Sequence, residues 1–205
     1  MENRPVITMN AGSRYPGADP EVYERFLKWW IEVYGQVSMR VPQRRQVDMY
    51  QILQESALFP SFLSIFHYEK YTDWVDGRKN PEATSISGEI SSWMKRRILD
   101  YMWLAIYQLV KSYRSDSSNP EERLDTRIEN ASFLHLEAYS LKVDDSEKYN
   151  KWFVDYCSNV FIPLFMKQEG LKGYDYYKYV GISVFHNIYE KEYPTYFSAT
   201  YFESM

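Results

Sequence analysis

Two short motifs in this chain place an imidazole two residues before a carboxylate: His135-Leu136-Glu137 and His67-Tyr68-Glu69. In an extended strand, residues i and i+2 point to the same face. Each His therefore shares a face with its Glu, and a carboxylate beside an imidazole orients the ring and supports its charge, as general acid-base chemistry requires. Along residues 132–139, Phe133 and Tyr139 fall on the side of His135 and Glu137, while Leu134, Leu136 and Ala138 make an apolar side suited to helix packing. The functional reading is an acid-base pair flanked by two substrate-contacting rings. The alternative is a structural histidine satisfied by Glu137 or by a backbone carbonyl, because a buried polar group needs a partner.

A second pattern also occurs twice. Asp48-Met49-Tyr50 and Asp175-Tyr176-Tyr177 each set a phenol two residues after an aspartate, a residue type that strands disfavour. Such a carboxylate can hold a proton for transfer or bind a substrate hydroxyl, or it can simply be an exposed hairpin residue. Asp175 joins His135, Glu137, His67 and Glu69 as a catalytic candidate, and Tyr177 and Tyr201 join Phe133 and Tyr139 as substrate-binding candidates. If both His-x-Glu pairs converged, two imidazoles and two carboxylates would suit Fe, Mn or Zn. The spacing by itself does not specify an ion, so the expectation is acid-base chemistry with no metal and no cofactor. The lone Cys157 forms no internal disulfide and reads as a packing residue.

The rest of the composition narrows the function class. With 24 Lys plus Arg against 28 Asp plus Glu, the net charge of −4 argues against a general nucleic-acid binder. No apolar run approaches a membrane span, and the opening Met1-Glu2-Asn3-Arg4-Pro5 lacks a signal-peptide core, so the expectation is a soluble, cytoplasmic protein with no membrane partner. No Gly-rich phosphate loop, nucleophile elbow or nucleotide fingerprint is present. The 20 Tyr, 11 Phe and 6 Trp are instead consistent with a small hydrophobic or aromatic ligand.

The elements that position these residues come twice. Pro60-Ser61-Phe62 through Glu69 matches Pro194-Thr195-Tyr196 through Glu203 at an offset of 134; Lys28-Trp29-Trp30-Ile31-Glu32 matches Lys151-Trp152-Phe153-Val154-Asp155 at 123; and Asp48 matches Asp175 at 127. Val22, Phe26, Trp29, Val33 and Val37 recur at helical spacing, as do Tyr149, Trp152, Tyr156, Val160 and Leu164. Segments 44–54 and 61–69, and 171–180 and 195–203, read as hairpin strands. A strand near 5–10 precedes the first helix, and one near 132–139 precedes the second. The first copy continues through a short helix capped at Ser87 into a long strand at 101–110, which completes β-α-β-β-α-β, the ferredoxin-like unit. The domain expectation is unit one over 1–113, a linker over 114–130, and a truncated unit two over 131–205.

Tandem units with this helix signature resemble the dimeric α+β barrel superfamily, particularly its EthD-like branch. There the first helix commonly ends in Trp-Tyr, an acidic residue and His-Ile/Val-Pro, followed by Pro-Gly. Tyr156 through Pro163 and Gly170-Leu171-Lys172-Gly173-Tyr174 are similar to that stretch, and Val37-Ser38-Met39-Arg40-Val41-Pro42 is a weaker echo. The resemblance implies an α+β fold: two tandem ferredoxin-like units forming an intrachain α+β barrel, the second truncated, with helices outside and a cavity between the inner sheet faces. It also implies that the first and third strands of each unit are central, which would put His67, His135 and Tyr201 mid-sheet. Where the family pattern has His, this chain has Phe161 and Ser38, so an activity that depends on that imidazole does not carry over. Haem-binding relatives take a His from elsewhere in the barrel, and no local haem signature accompanies the three histidines here.

Two functional expectations follow. One is an enzyme doing acid-base chemistry on a hydrophobic, aromatic or polyketide-like substrate, as an isomerase, cyclase, dehydratase or cofactor-free oxygenase. The other is a non-catalytic ligand-binding or assembly protein that has lost the family histidine. Because the truncated unit leaves a sheet edge and a strongly aromatic C-terminal strand, a homodimer is expected.

Overall fold

Extended segments with turn signals between them produce the strands, seven among the described residues, and the four-residue spacing of large apolar side chains produces the helices that cover them. The computed structural model describes residues 4–53, 61–114, 133–139, 146–182 and 196–203. These residues cluster into two compact units, one running to Ile106 and the other holding Tyr107–Val180 and the C-terminal strand.

Unit one contains β1 (Val6–Arg14), α1 (Pro20–Trp29), a π-helical turn (Trp30–Tyr34), α2 (Gly35–Met39), β2 (Gln46–Gln51), β3 (Phe62–Tyr68), α3 (Tyr71–Gly77), α4 (Pro81–Lys95) and the first half of β4 (Leu99–Arg114). Its strand order is β2-β3-β1-β4, the ferredoxin-like order. Asp19 caps α1 by accepting from the backbone N–H groups of Glu21 and Val22. The same role at α4 belongs to Asn80, not Ser87, which lies inside the helix and donates back to the Ala83 carbonyl at 2.9 Å. Phe26, Trp30 and Tyr34 pack on Phe62 and Phe66, and Trp93 of α4 meets Phe26 and Trp29. Thus Phe62, Ser64, Phe66 and Tyr68 of β3 face the helices, and Leu63, Ile65 and His67 face the other way.

Unit two holds the second half of β4, β5 (Phe133–Tyr139), α5 (Ser146–Tyr156), a second π-helical turn (Cys157–Phe161), α6 (Ile162–Phe165), β6 (Leu171–Ile182) and β7 (Tyr196–Phe202). Its order is β4-β6-β7-β5. Tyr113, Cys157, Ile162, Tyr174, Tyr176 and Tyr196 form the core under the helix, with Tyr139, Phe153, Phe161 and Phe165 packed against them. Arg114, where the linker was expected to begin, is the last residue of β4. The rest of that segment, Pro60, Pro194 and His186 lie outside the described residues.

The internal ladders of the two units have the same register. Asp48 faces Ile65 and Asp175 faces Ala199; Met9 faces Ile65 and Leu136 faces Ala199. β1 and β5, the π-helical turns, and β2 and β6 all stand 127 residues apart, and β3 and β7 stand 134 apart. The expected helix match of Trp29 with Trp152 is therefore one turn out of step. Trp29 immediately precedes its π-helical turn, and so does Tyr156. A slip of four residues returns nearly to the same helix face, so apolar periodicity does not detect it.

The buried stripe of the second helix also differs from expectation. Tyr149, Trp152, Tyr156, Val160 and Leu164 are exposed, and the inward face is Phe153, Cys157, Phe161, Ile162 and Phe165. The helix carries two apolar stripes, and period alone does not say which one meets the sheet.

Candidate active site

On the helix-free face of unit one, Nε2 of His67 lies 2.8 Å from Oδ2 of Asp48. The ring is 1% exposed. β2 and β3 bring the two together because Gln46 is the ladder partner of His67, and Asp48 stands two residues along on the same face. Gln46 donates to the other oxygen of Asp48 at 2.6 Å, which holds the carboxylate plane. Around the pair this face is apolar: Ile7, Met9, Leu63 and Ile65 are all buried. A carboxylate against a histidine shut off from bulk water fixes the ring and stabilises the imidazolium formed when it takes a proton. Glu69, the expected partner of His67, is exposed and pairs with Arg45 at 2.5 Å.

The equivalent face of unit two carries a different arrangement. Asp175, counterpart of Asp48, is fully buried and accepts from Arg114 at 2.6 and 3.1 Å and from Ser112 at 2.7 Å. The Tyr177 hydroxyl donates to it at 3.2 Å. Burial and then the adjacent Asp175 charge push the Tyr177 phenol well above its ordinary range, while Arg114 acts in the opposite sense. For Arg114 burial disfavours the charge, but Asp175 more than offsets this and the guanidinium is held above its ordinary value. Tyr201, which occupies the ladder position of His67, lies under the guanidinium at 5.8 Å. This cluster is a bidentate ion pair enclosed by phenols.

The expected β5 constellation is not assembled. Among the described strands β5 is the outermost of unit two, so His135 is not mid-sheet there. The sides are reversed as well: Tyr139 packs against Phe153 and the helix core, and its hydroxyl donates to Glu137. Alternation then puts Phe133, His135, Glu137 and Tyr139 on the helix side, with His135 exposed. Small apolar residues such as Leu134 and Ala138 suit either face, and the large Tyr139 and Phe153 rings decide the matter. Burial, and next the bond to Glu137, push the Tyr139 phenol up. Burial likewise pushes the Cys157 thiol up to about 11, against a nucleophilic role.

Among the described residues no group of three or more His, Cys, Asp or Glu side chains is placed to hold a metal ion. The sequence reading missed Arg114 and Ser112. Their signal is the continuation of strand alternation past Val110, through Lys111, Ser112, Tyr113 and Arg114. Phe161, which the resemblance sets at a histidine position, is matched in unit one by Tyr34, not Ser38, since both end a π-helical turn.

No protein-family model and no curated protein matches the chain. Solved structures do match its fold. An anthrone oxidase-like protein aligns with a TM-score of 0.60 at 8% identity, over 99% of this chain and 74% of that one. A protein of Fusobacterium nucleatum described provisionally as a monooxygenase aligns at 0.59 and 11% identity, over 100% and 78%. Another, described provisionally as a chlorite dismutase, aligns at 0.56 and 9%, over 98% and 81%. These neighbours are dimeric α+β barrel proteins, and at such identities the likeness shows the fold alone.

Proposed function

We propose that this protein is a small-molecule enzyme of the α+β barrel type in which Asp48 and His67 move a proton on a hydrophobic, aromatic or polyketide-like substrate held against the helix-free face of unit one. The observation that carries the reading is the 2.8 Å pairing of a carboxylate with an imidazole shut off from bulk water among apolar side chains. Isomerisation, cyclisation, dehydration and cofactor-free oxidation of such a substrate all begin with loss of a proton from an activated C–H or O–H. His67 is the base, Asp48 orients it, and Gln46 holds Asp48. The name of one neighbour, anthrone oxidase-like, supports an aromatic substrate, and that of another, monooxygenase, supports an oxidation. We read the two units as copies of one ancestral unit within the EthD-like branch, with the second site locked by Arg114.

Exchange of solvent deuterium into the acidic methylene of anthrone-type ketones, followed by NMR, tests this. The native protein should accelerate exchange, and His67→Gln should reduce the acceleration at least ~100-fold, the usual worth of a positioned base. Undiminished exchange by His67→Gln contradicts the assignment. A second reading, binding without turnover, is favoured by Phe161 where the family pattern has His; ligand binding with no accelerated exchange would support it.

A further inference from the structure

The second helix of the chain shows an apolar face that nothing described in its own unit covers. Trp152 is 61% exposed and Leu164 60%, and Tyr149, Tyr156 and Val160 are each more than two-fifths exposed along the same side of α5, the π-helical turn and α6. In unit one the counterpart of Tyr156 is Trp29, and there Trp93 of α4 lies 6.0 Å from its ring. Among the described residues no helix of unit two takes the place of α4. With 150–250 Å² for each fully exposed aromatic side chain, the stripe amounts to on the order of 500 Å² of apolar surface. A patch of about 500 Å² lies in the upper part of the range for the largest apolar patch of a single chain, and such patches are often functional.

The geometry points to a second copy of this chain as the occupant: we propose a homodimer in which the α5–α6 faces pack antiparallel about a two-fold axis at Tyr156. The order of side chains along the stripe is self-complementary. Large rings lie at its N-terminal end and aliphatic residues at its C-terminal end, so reversal sets Trp152 on Val160 and Tyr149 on Leu164, with Tyr156 facing itself. Two such faces bury about 1,000 Å², the floor for a specific interface, before the flanking Lys148, Lys151 and Asn159 add their share. The C-terminal strand, first expected to carry self-association, is buried between β6 and β5.

Light scattering at micromolar concentration should give the native protein twice its 24.6 kDa chain mass. Trp152→Glu should fall to the mass of one chain with an unchanged circular dichroism spectrum, whereas Ile31→Glu, an equally exposed site on unit one, should stay dimeric. Under mild oxidation Tyr156→Cys should form a disulfide-linked dimer and Tyr149→Cys should not, because only residue 156 meets itself; the native Cys157 is buried. A native mass of one chain, a dimer that survives Trp152→Glu, or cross-linking of Tyr149→Cys as efficient as that of Tyr156→Cys overturns the proposal.

Discussion

At the residue scale, two aspartates at matching ladder positions have acquired opposite chemistry. Asp48 holds an imidazole, whose proton can move; Asp175 holds a guanidinium, whose proton does not. Arg114 is 4% exposed and Asp175 0%, so removing either partner strands the other as a buried charge. Arg114→Met should therefore destabilise the fold by about 3–5 kcal/mol in urea unfolding. The double variant Arg114→Met/Asp175→Leu should recover much of that loss, because no charge is then left unpaired. A loss below ~1 kcal/mol for Arg114→Met would mean that the pair is solvated. The Asp-x-Tyr recurrence was legible in the sequence because both members sit in one strand. Their partners were not, since His67 and Arg114 come from neighbouring strands whose register depends on tertiary pairing.

At the element scale, the strands and hairpins followed from alternation and turn residues, and their ends moved by a few positions only. The helices were harder, because a face-forming period survives a one-turn slip and the second helix is apolar on two sides. β5 was misjudged for a related reason: alternation gives two faces without saying which is covered, and a missing neighbour turns a central strand into an edge. β6 is the element with the clearest pH consequence. Burial pushes the Tyr174 phenol up to about 12, raises Tyr176 further, and lifts Cys157 on the overlying helix to about 11. The folded state holds these protons more tightly than the unfolded chain does, so their contribution is complete below the ordinary values near 9 and 10 and is lost as pH rises through 11 and 12. Alkaline titration should show tyrosinate absorbance and loss of ellipticity rising together above pH ~10. Ionisation of Tyr174 and Tyr176 near pH 10 with the fold intact, read from the absorbance lost in their Phe variants, would contradict that burial.

At the scale of the whole molecule, the ferredoxin-like order in unit one and the matching ladder registers of the two units make the α+β fold readable from the strands themselves. Function does not follow from such a fold; it follows from which of the few imidazoles is placed for chemistry. The sequence put His135 ahead of His67 as the candidate, and the structure reverses that order: His135 is exposed on the outermost described strand of unit two, and His67 is enclosed with a carboxylate. The chain has three histidines, so their ring resonances can be assigned by single substitutions. The most direct measurement is an NMR titration of those rings with an aromatic ketone. The His67 resonances should shift in proportion to bound ligand while those of His135 stay in place; movement of His135 with His67 unchanged would contradict the assignment of His67.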